Sequence, residues 1–82
     1  MTKLEYGKCE KLMNMAIIKA KQAQEEYINA EKHLENGNSL EWEIEQRKAD
    51  MHYGEADGIK QVLVALNFAH DGMKILSYLL NE

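Results

Sequence analysis

The stretch HLENGNSLEWEIE, His33 to Glu45, decides the fold. Its Asn36-Gly37 step lies between runs in which apolar and charged residues alternate, as they do around the turn of a β-hairpin. Working back from that turn, Tyr6, Cys9, Met13, Ala16, Ala20, Ala23, Tyr27, Ala30 and Leu34 recur at steps of three and four, a spacing that only a helix gathers on one face. A strand would depend on Leu40, Trp42 and Ile44 alternating with Glu41, Glu43 and Glu45, and glutamate is depleted in strands. The turn therefore reads as the tip of an αα-hairpin. Asn36 and Gly37 tolerate the left-handed conformation that closes a helix, and Asn38 or Ser39 can cap the next, Asn38 with Glu41 imitating a capping box.

Composition agrees with an all-α class. Proline is absent, and residues that lose little on entering a helix dominate. The 82 residues form one helical-hairpin domain, 1–82, with helix 1 over about 3–36, helix 2 over about 39–70 and a short third helix over 72–81 capped by Asp71. A chain this short hides only about 60% of its unfolded surface, so self-association is expected. Charged residues make up 29% of the chain, and no apolar run approaches the roughly 20 residues that span a bilayer, so a cytoplasmic protein without a membrane role is expected. The one cysteine, Cys9, excludes an internal disulfide framework and suits a reducing compartment.

Within helix 2, Leu40 and Trp42 lie about 200° apart, and both sides continue. Leu40, Ile44 and Met51 make one stripe; Trp42, Ala49, Tyr53 and Ala56 make the other. A helix apolar on two faces needs two neighbours, of which helix 1 is one. Gly54 and Gly58, opposite the alanines of helix 1, point to close helix contact. With the tip at Gly37, residues past Gly72 overhang the end of helix 1, and they either fold back or are covered by a partner. The expected architecture is a homodimer of hairpins, a four-helix bundle or longer coiled coil, associating through Ala49, Tyr53, Ala56, Met73, Leu76, Leu79 and Leu80.

Charge is unevenly spread. Residues 25–45 carry seven glutamates against one lysine, a local charge of −6, so within a chain of net −4 the remainder carries +2. Glu31 with Glu35 and Glu41 with Glu45 are like-charge pairs that an antiparallel dimer or a basic partner would offset. No motif states an activity. The expected function is that of a non-catalytic interaction protein, an inhibitor or adaptor whose acidic tip, Glu31, Glu35, Glu41, Glu43 and Glu45 with Trp42 as anchor, occludes a basic surface, such as a nucleic-acid-binding groove, on a target enzyme. The alternatives are an assembly module whose main partner is itself, and a nucleic-acid-binding regulator working through Lys3, Lys8, Lys11, Lys19 and Lys21. Scale and composition resemble, in a general way, the small accessory proteins of bacteria and phages, many of which block host or defence enzymes.

Catalytic, metal and cofactor roles find little support. Cys9 falls on the helix 1 stripe, where a thiol acts as a small hydrophobe, although pairing across the hairpin brings His70 within a turn of its level. His52 has Glu55 at i+3 and His33 has Glu35 nearby, yet no Glu-x-x-His unit of a carboxylate-bridged metal bundle occurs. Five lysines without an arginine near the start make a poor footprint for direct nucleic-acid binding.

Overall fold

At the N-terminus Thr2 accepts a hydrogen bond from the Glu5 amide at 3.1 Å and its hydroxyl donates to the Glu5 carboxylate at 3.0 Å. That reciprocal cap starts α1, Lys3–Glu35, in the computed structural model, which describes residues 1–81. At its other end the Asn38 amide reaches back to His33 O and the Gly37 amide to Leu34 O, with Gly37 at φ +76°. This is a Schellman closure on the glycine the sequence marks for it. Helix α2, Ser39–Ala65, returns alongside α1, so the tip is the turn of an antiparallel helical hairpin. Asn38 occupies the cap position without a side-chain hydrogen bond, so the expected capping box does not form.

Helix α2 is shorter than the expected 39–70. Asn67, at φ +56°, closes it through the Asn67 amide on Val64 O and the Phe68 amide on Leu63 O. Asparagine supplies the left-handed residue here as glycine does at the tip. Phe68 then drops into a cluster with Cys9, Met13 and Leu63, and its ring lies 5.0 Å from that of Tyr6. The chain has reversed, and α3, Gly72–Leu79, runs back toward the tip beside α1.

Asp71 does not cap α3 with its side chain. His70 does so instead. The Gly72 amide donates to His70 Nδ1 at 2.8 Å, which leaves the ring proton on Nε2 to donate to Glu10 Oε2 at 3.0 Å. Gly72 makes room for Met13, since a Cβ there would stand 2.5 Å from Met13 Cε and the methionine would have to shift. At the far end of α3, Gln24 Nε2 donates to Leu79 O at 3.2 Å and the Tyr53 hydroxyl to Leu80 O at 2.6 Å. Two of the carbonyls that a helix end leaves without partners are thereby satisfied.

The overhang is therefore resolved by folding back. Ala16, Ala20, Ala56, Leu76 and Leu80 form one buried cluster, with Tyr53, Met73 and Leu79 packed half-buried against it. Ala49 is also fully buried. The surface expected to receive a second copy, Ala49, Tyr53, Ala56, Met73, Leu76, Leu79 and Leu80, is thus filled by the chain's own third helix and by α1. Alanines at Ala16, Ala20, Ala23 and Ala30 let α2 and α3 approach α1 closely, and the result is a rod 52 × 17 × 16 Å. No described helix is long and apolar enough to cross a membrane.

Candidate functional site

A two-helix hairpin has two grooves, one along each flank, and helical phase shows which one α3 takes. Tyr6 and Gln24 of α1, and Tyr53 of α2, reach the loop before α3 or α3 itself. Met15 lies nine residues from both Tyr6 and Gln24, and Val62 nine residues from Tyr53. Nine residues turn a helix by about 180°, so Met15 and Val62 occupy the opposite flank. That flank is open. Leu12, Met15, Lys19, Gly54, Glu55, Gly58, Ile59 and Val62 line a groove of about 520 Å3 on it.

Two exposed glycines, Gly54 and Gly58, line it on the α2 side. A Cβ at Gly54 or at Gly58 would meet nothing within 4 Å, so neither residue mediates the close helix contact expected of it. The α2 stripe continues toward the tip, since Met51, Ile44 and Leu40 lie 11, 18 and 22 residues before Val62 and so within about 40° of it. All four side chains are exposed: Leu40 by 65%, Ile44 by 47%, Met51 by 53% and Val62 by 53%. Leu4, Leu12, Met15 and Ile18 are exposed on α1. Of the two apolar stripes on α2, the chain has covered Ala49, Tyr53 and Ala56 and left Leu40, Ile44 and Met51 bare.

Polar contacts bridge the two helices, Lys19–Glu55 and His52–Glu26 on this side and Tyr27–Asp50 toward the other. Lys19 pairs with Glu55, and the ammonium holds the Glu55 carboxyl below the usual carboxylate range. His52 is paired with Glu26 of α1 at 2.5 Å and not with Glu55, so the spacing that suggested a His52–Glu55 pair misleads. The Tyr27 hydroxyl donates to Asp50 Oδ1 at 2.6 Å, and burial together with that carboxylate pushes the phenol up to about 12.

The acidic tip is divided between the flanks. Glu31 and Glu35 lie seven and eleven residues beyond Gln24, and Trp42 eleven before Tyr53, so these three share the α3 flank beyond the end of α3. Glu31 and Glu35 are exposed and Trp42 is half-buried. Glu43 lies about 80° from Tyr53 and 100° from Val62, between the flanks on the outer face of α2, and pairs with Arg47 at 2.6 Å. Glu45, half-buried, pairs with Lys48, while Glu41 stays exposed. The tip set is therefore divided, with Glu31, Glu35 and Trp42 on one side, Glu41 toward the other and Glu43 between them.

Cys9 is buried among apolar side chains, and His70 is engaged with Glu10 and Gly72. No cluster of three or more potential metal ligands occurs among the described residues. The chain matches no protein-family model, no curated protein and no solved structure.

Proposed function

We propose that the chain is a non-catalytic protein–protein interaction protein of the cytoplasm, an inhibitor or adaptor that covers a basic surface on a partner with its hairpin tip. One observation carries this reading: Glu31 and Glu35 stand exposed on the same flank as the half-buried Trp42, where α3 has already ended. Carboxylates held at the end of a rigid rod draw a basic partner in at long range, and an aromatic side chain on their flank gives the contact a desolvated centre. The local charge of −6, in a segment with one lysine, supports the same partner chemistry.

The test is co-purification with the intact protein as bait, comparing wild type, Glu31→Lys with Glu35→Lys, and Trp42→Ala. A basic partner should be retained by wild type in a salt-dependent manner, lost with the double charge reversal and weakened by about tenfold or more without the indole. Retention that survives the reversal would refute a tip-borne interaction. Salt-sensitive retention on DNA that is lost with Lys8→Glu and Lys11→Glu would instead favour the nucleic-acid regulator. An assembly role has its own support in the bare apolar stripe of the open flank.

A further inference from the structure

We propose that a second copy of this chain occupies the open groove, packed antiparallel about a two-fold axis that passes α2 near Gly54. The inference rests on the apolar groove and not on Glu31, Glu35 and Trp42, so it stands apart from the proposed function. A two-fold contact uses the same patch twice, so that patch must contain both projections and recesses. This one does. Met51 projects seven residues before Gly58, on one stripe, and nothing lies within 4 Å of where a Gly58 side chain would begin. An axis near Gly54 sets Met51 against the partner's Gly58, and at the same time Ile44 against the partner's Ala65.

Charge selects the antiparallel direction. The α1–α2 pairs Lys19–Glu55, Glu26–His52 and Tyr27–Asp50 set the level of the two helices, so Lys8 and Lys11 of α1 stand level with about residues 66–70 and 63–67 of the returning chain. Lys8 lies seven residues before Met15, and therefore on the open flank. Under the same axis Lys8 and Lys11 stand level with about residues 39–46 of the partner's α2, the stretch that carries its Glu41 and Glu43. A parallel arrangement would set one tip of −6 against another.

Size also argues for a whole hairpin as occupant. The 27 residues of α2 run about 40 Å, and a helix about 10 Å wide laid along them covers on the order of 400 Å2. With Leu12, Met15 and Ile18 of α1 added, the contact approaches the roughly 800 Å2 per partner of a specific interface, which a short peptide would not reach. In this dimer Glu31, Glu35 and Trp42 face away from the axis and stay available.

Sedimentation equilibrium of the full chain from micromolar to millimolar concentration tests the proposal. A concentration-dependent dimer is expected, with its affinity lowered by about tenfold or more in Met51→Glu and in Gly58→Glu, while circular dichroism retains the helical signal. Lys8→Glu with Lys11→Glu should weaken the dimer, as should Glu41→Lys with Glu43→Lys, and the combined variant should recover it. A Gly54→Cys variant should form an intermolecular disulfide in air, since Cys9 is buried and does not compete, whereas Asn38→Cys at the tip should not. A monomer at millimolar concentration overturns the proposal, as does a dimer indifferent to Gly58→Glu, a charge reversal that the combined variant fails to rescue, or a monomer that takes a foreign helix into the groove.

Discussion

The two flanks of the hairpin start from similar material and end differently. Both carry an apolar stripe along α2, yet one is filled by α3 and the other is bare. Hydrophobicity alone does not separate them, since Leu40, Ile44, Met51 and Val62 are at least as apolar as Ala49, Tyr53 and Ala56. The difference lies in what each flank offers to the polar ends of an incoming helix. On the filled side Gln24 and Tyr53 donate to Leu79 O and Leu80 O, and Tyr6 donates to Ala69 O. On the open side the bridging groups satisfy one another, Lys19 with Glu55 and Glu26 with His52. A short helix cannot leave its last carbonyls unpaired in a partly buried place, so it settles where donors exist.

The largest effect that separates the flanks is expected from core truncation. Leu76→Ala removes a fully buried side chain of the filled groove and should lower unfolding free energy by about 2–5 kcal/mol, enough to unfold much of so small a domain. Met51→Ala and Val62→Ala, measured by denaturant titration of dilute protein, should change it by about 0.5 kcal/mol or less. Equal losses on both sides would mean that the open stripe is already covered in the monomer.

Glycine substitutions sharpen the contrast by reversing sign. Gly72→Ala pushes a methyl group into Met13, which is 2% exposed and has little room to retreat, so a loss of about 1–3 kcal/mol is expected. Gly58→Ala adds its methyl group where nothing lies within 4 Å, in the middle of α2, and should raise monomer stability by up to about 1 kcal/mol. Thermal melts of dilute samples decide between the two. A destabilising Gly58→Ala would show that the groove is occupied there.

Much of the fold is written in local spacing. The stripe from Cys9 to Ala30 and the Asn36-Gly37 closure are short-range signals, and both appear as the sequence implies. The end of α2 is harder to see because apolar periodicity runs straight through it, from Val62 and Leu63 to Leu66 and Ala69. Asn67 was the available signal, a residue tolerant of positive φ, but a single asparagine in a helical pattern is ambiguous. The choice of which α2 stripe stays bare is a tertiary decision. It depends on Gln24 and Tyr53 meeting carbonyls more than 25 residues away in sequence, and no periodicity encodes that. The division of the tip carboxylates follows from the same decision, since α3 ends before the level of Glu31, Glu35 and Trp42.

A smaller effect isolates the polar half of the explanation. Tyr53→Phe keeps the ring against Leu80 and deletes only the hydroxyl that donates to its carbonyl at 2.6 Å. A loss of about 1 kcal/mol is expected, with faster hydrogen exchange at amides of α3 than at those of α1. If exchange in α3 stays unchanged, donor placement is not what assigns α3 to its flank.

The smallest expected effect concerns the tip half, past the reach of α3, where the two helices are tied by Tyr27 on Asp50 and His52 on Glu26. Folding raises the Tyr27 phenol from 10.0 to about 12, so the folded state keeps its proton after the unfolded chain has lost it. Stability from this group is fully present below pH 10 and declines as pH rises toward 12, because an ionised phenol there would be partly desolvated and would face the Asp50 carboxylate. With partial solvent screening the decline amounts to less than about 1 kcal/mol. Other tyrosines and lysines titrate in the same window, so the readout is the difference between wild type and Tyr27→Phe, which lacks the ionisable group. That difference should shrink between pH 10 and 12, and the Trp42 fluorescence of wild type should report loosening at the tip before the α3 half responds. Parallel alkaline curves for the two proteins would show that Tyr27 titrates as it does in water, and that its contact with Asp50 does not tie the tip.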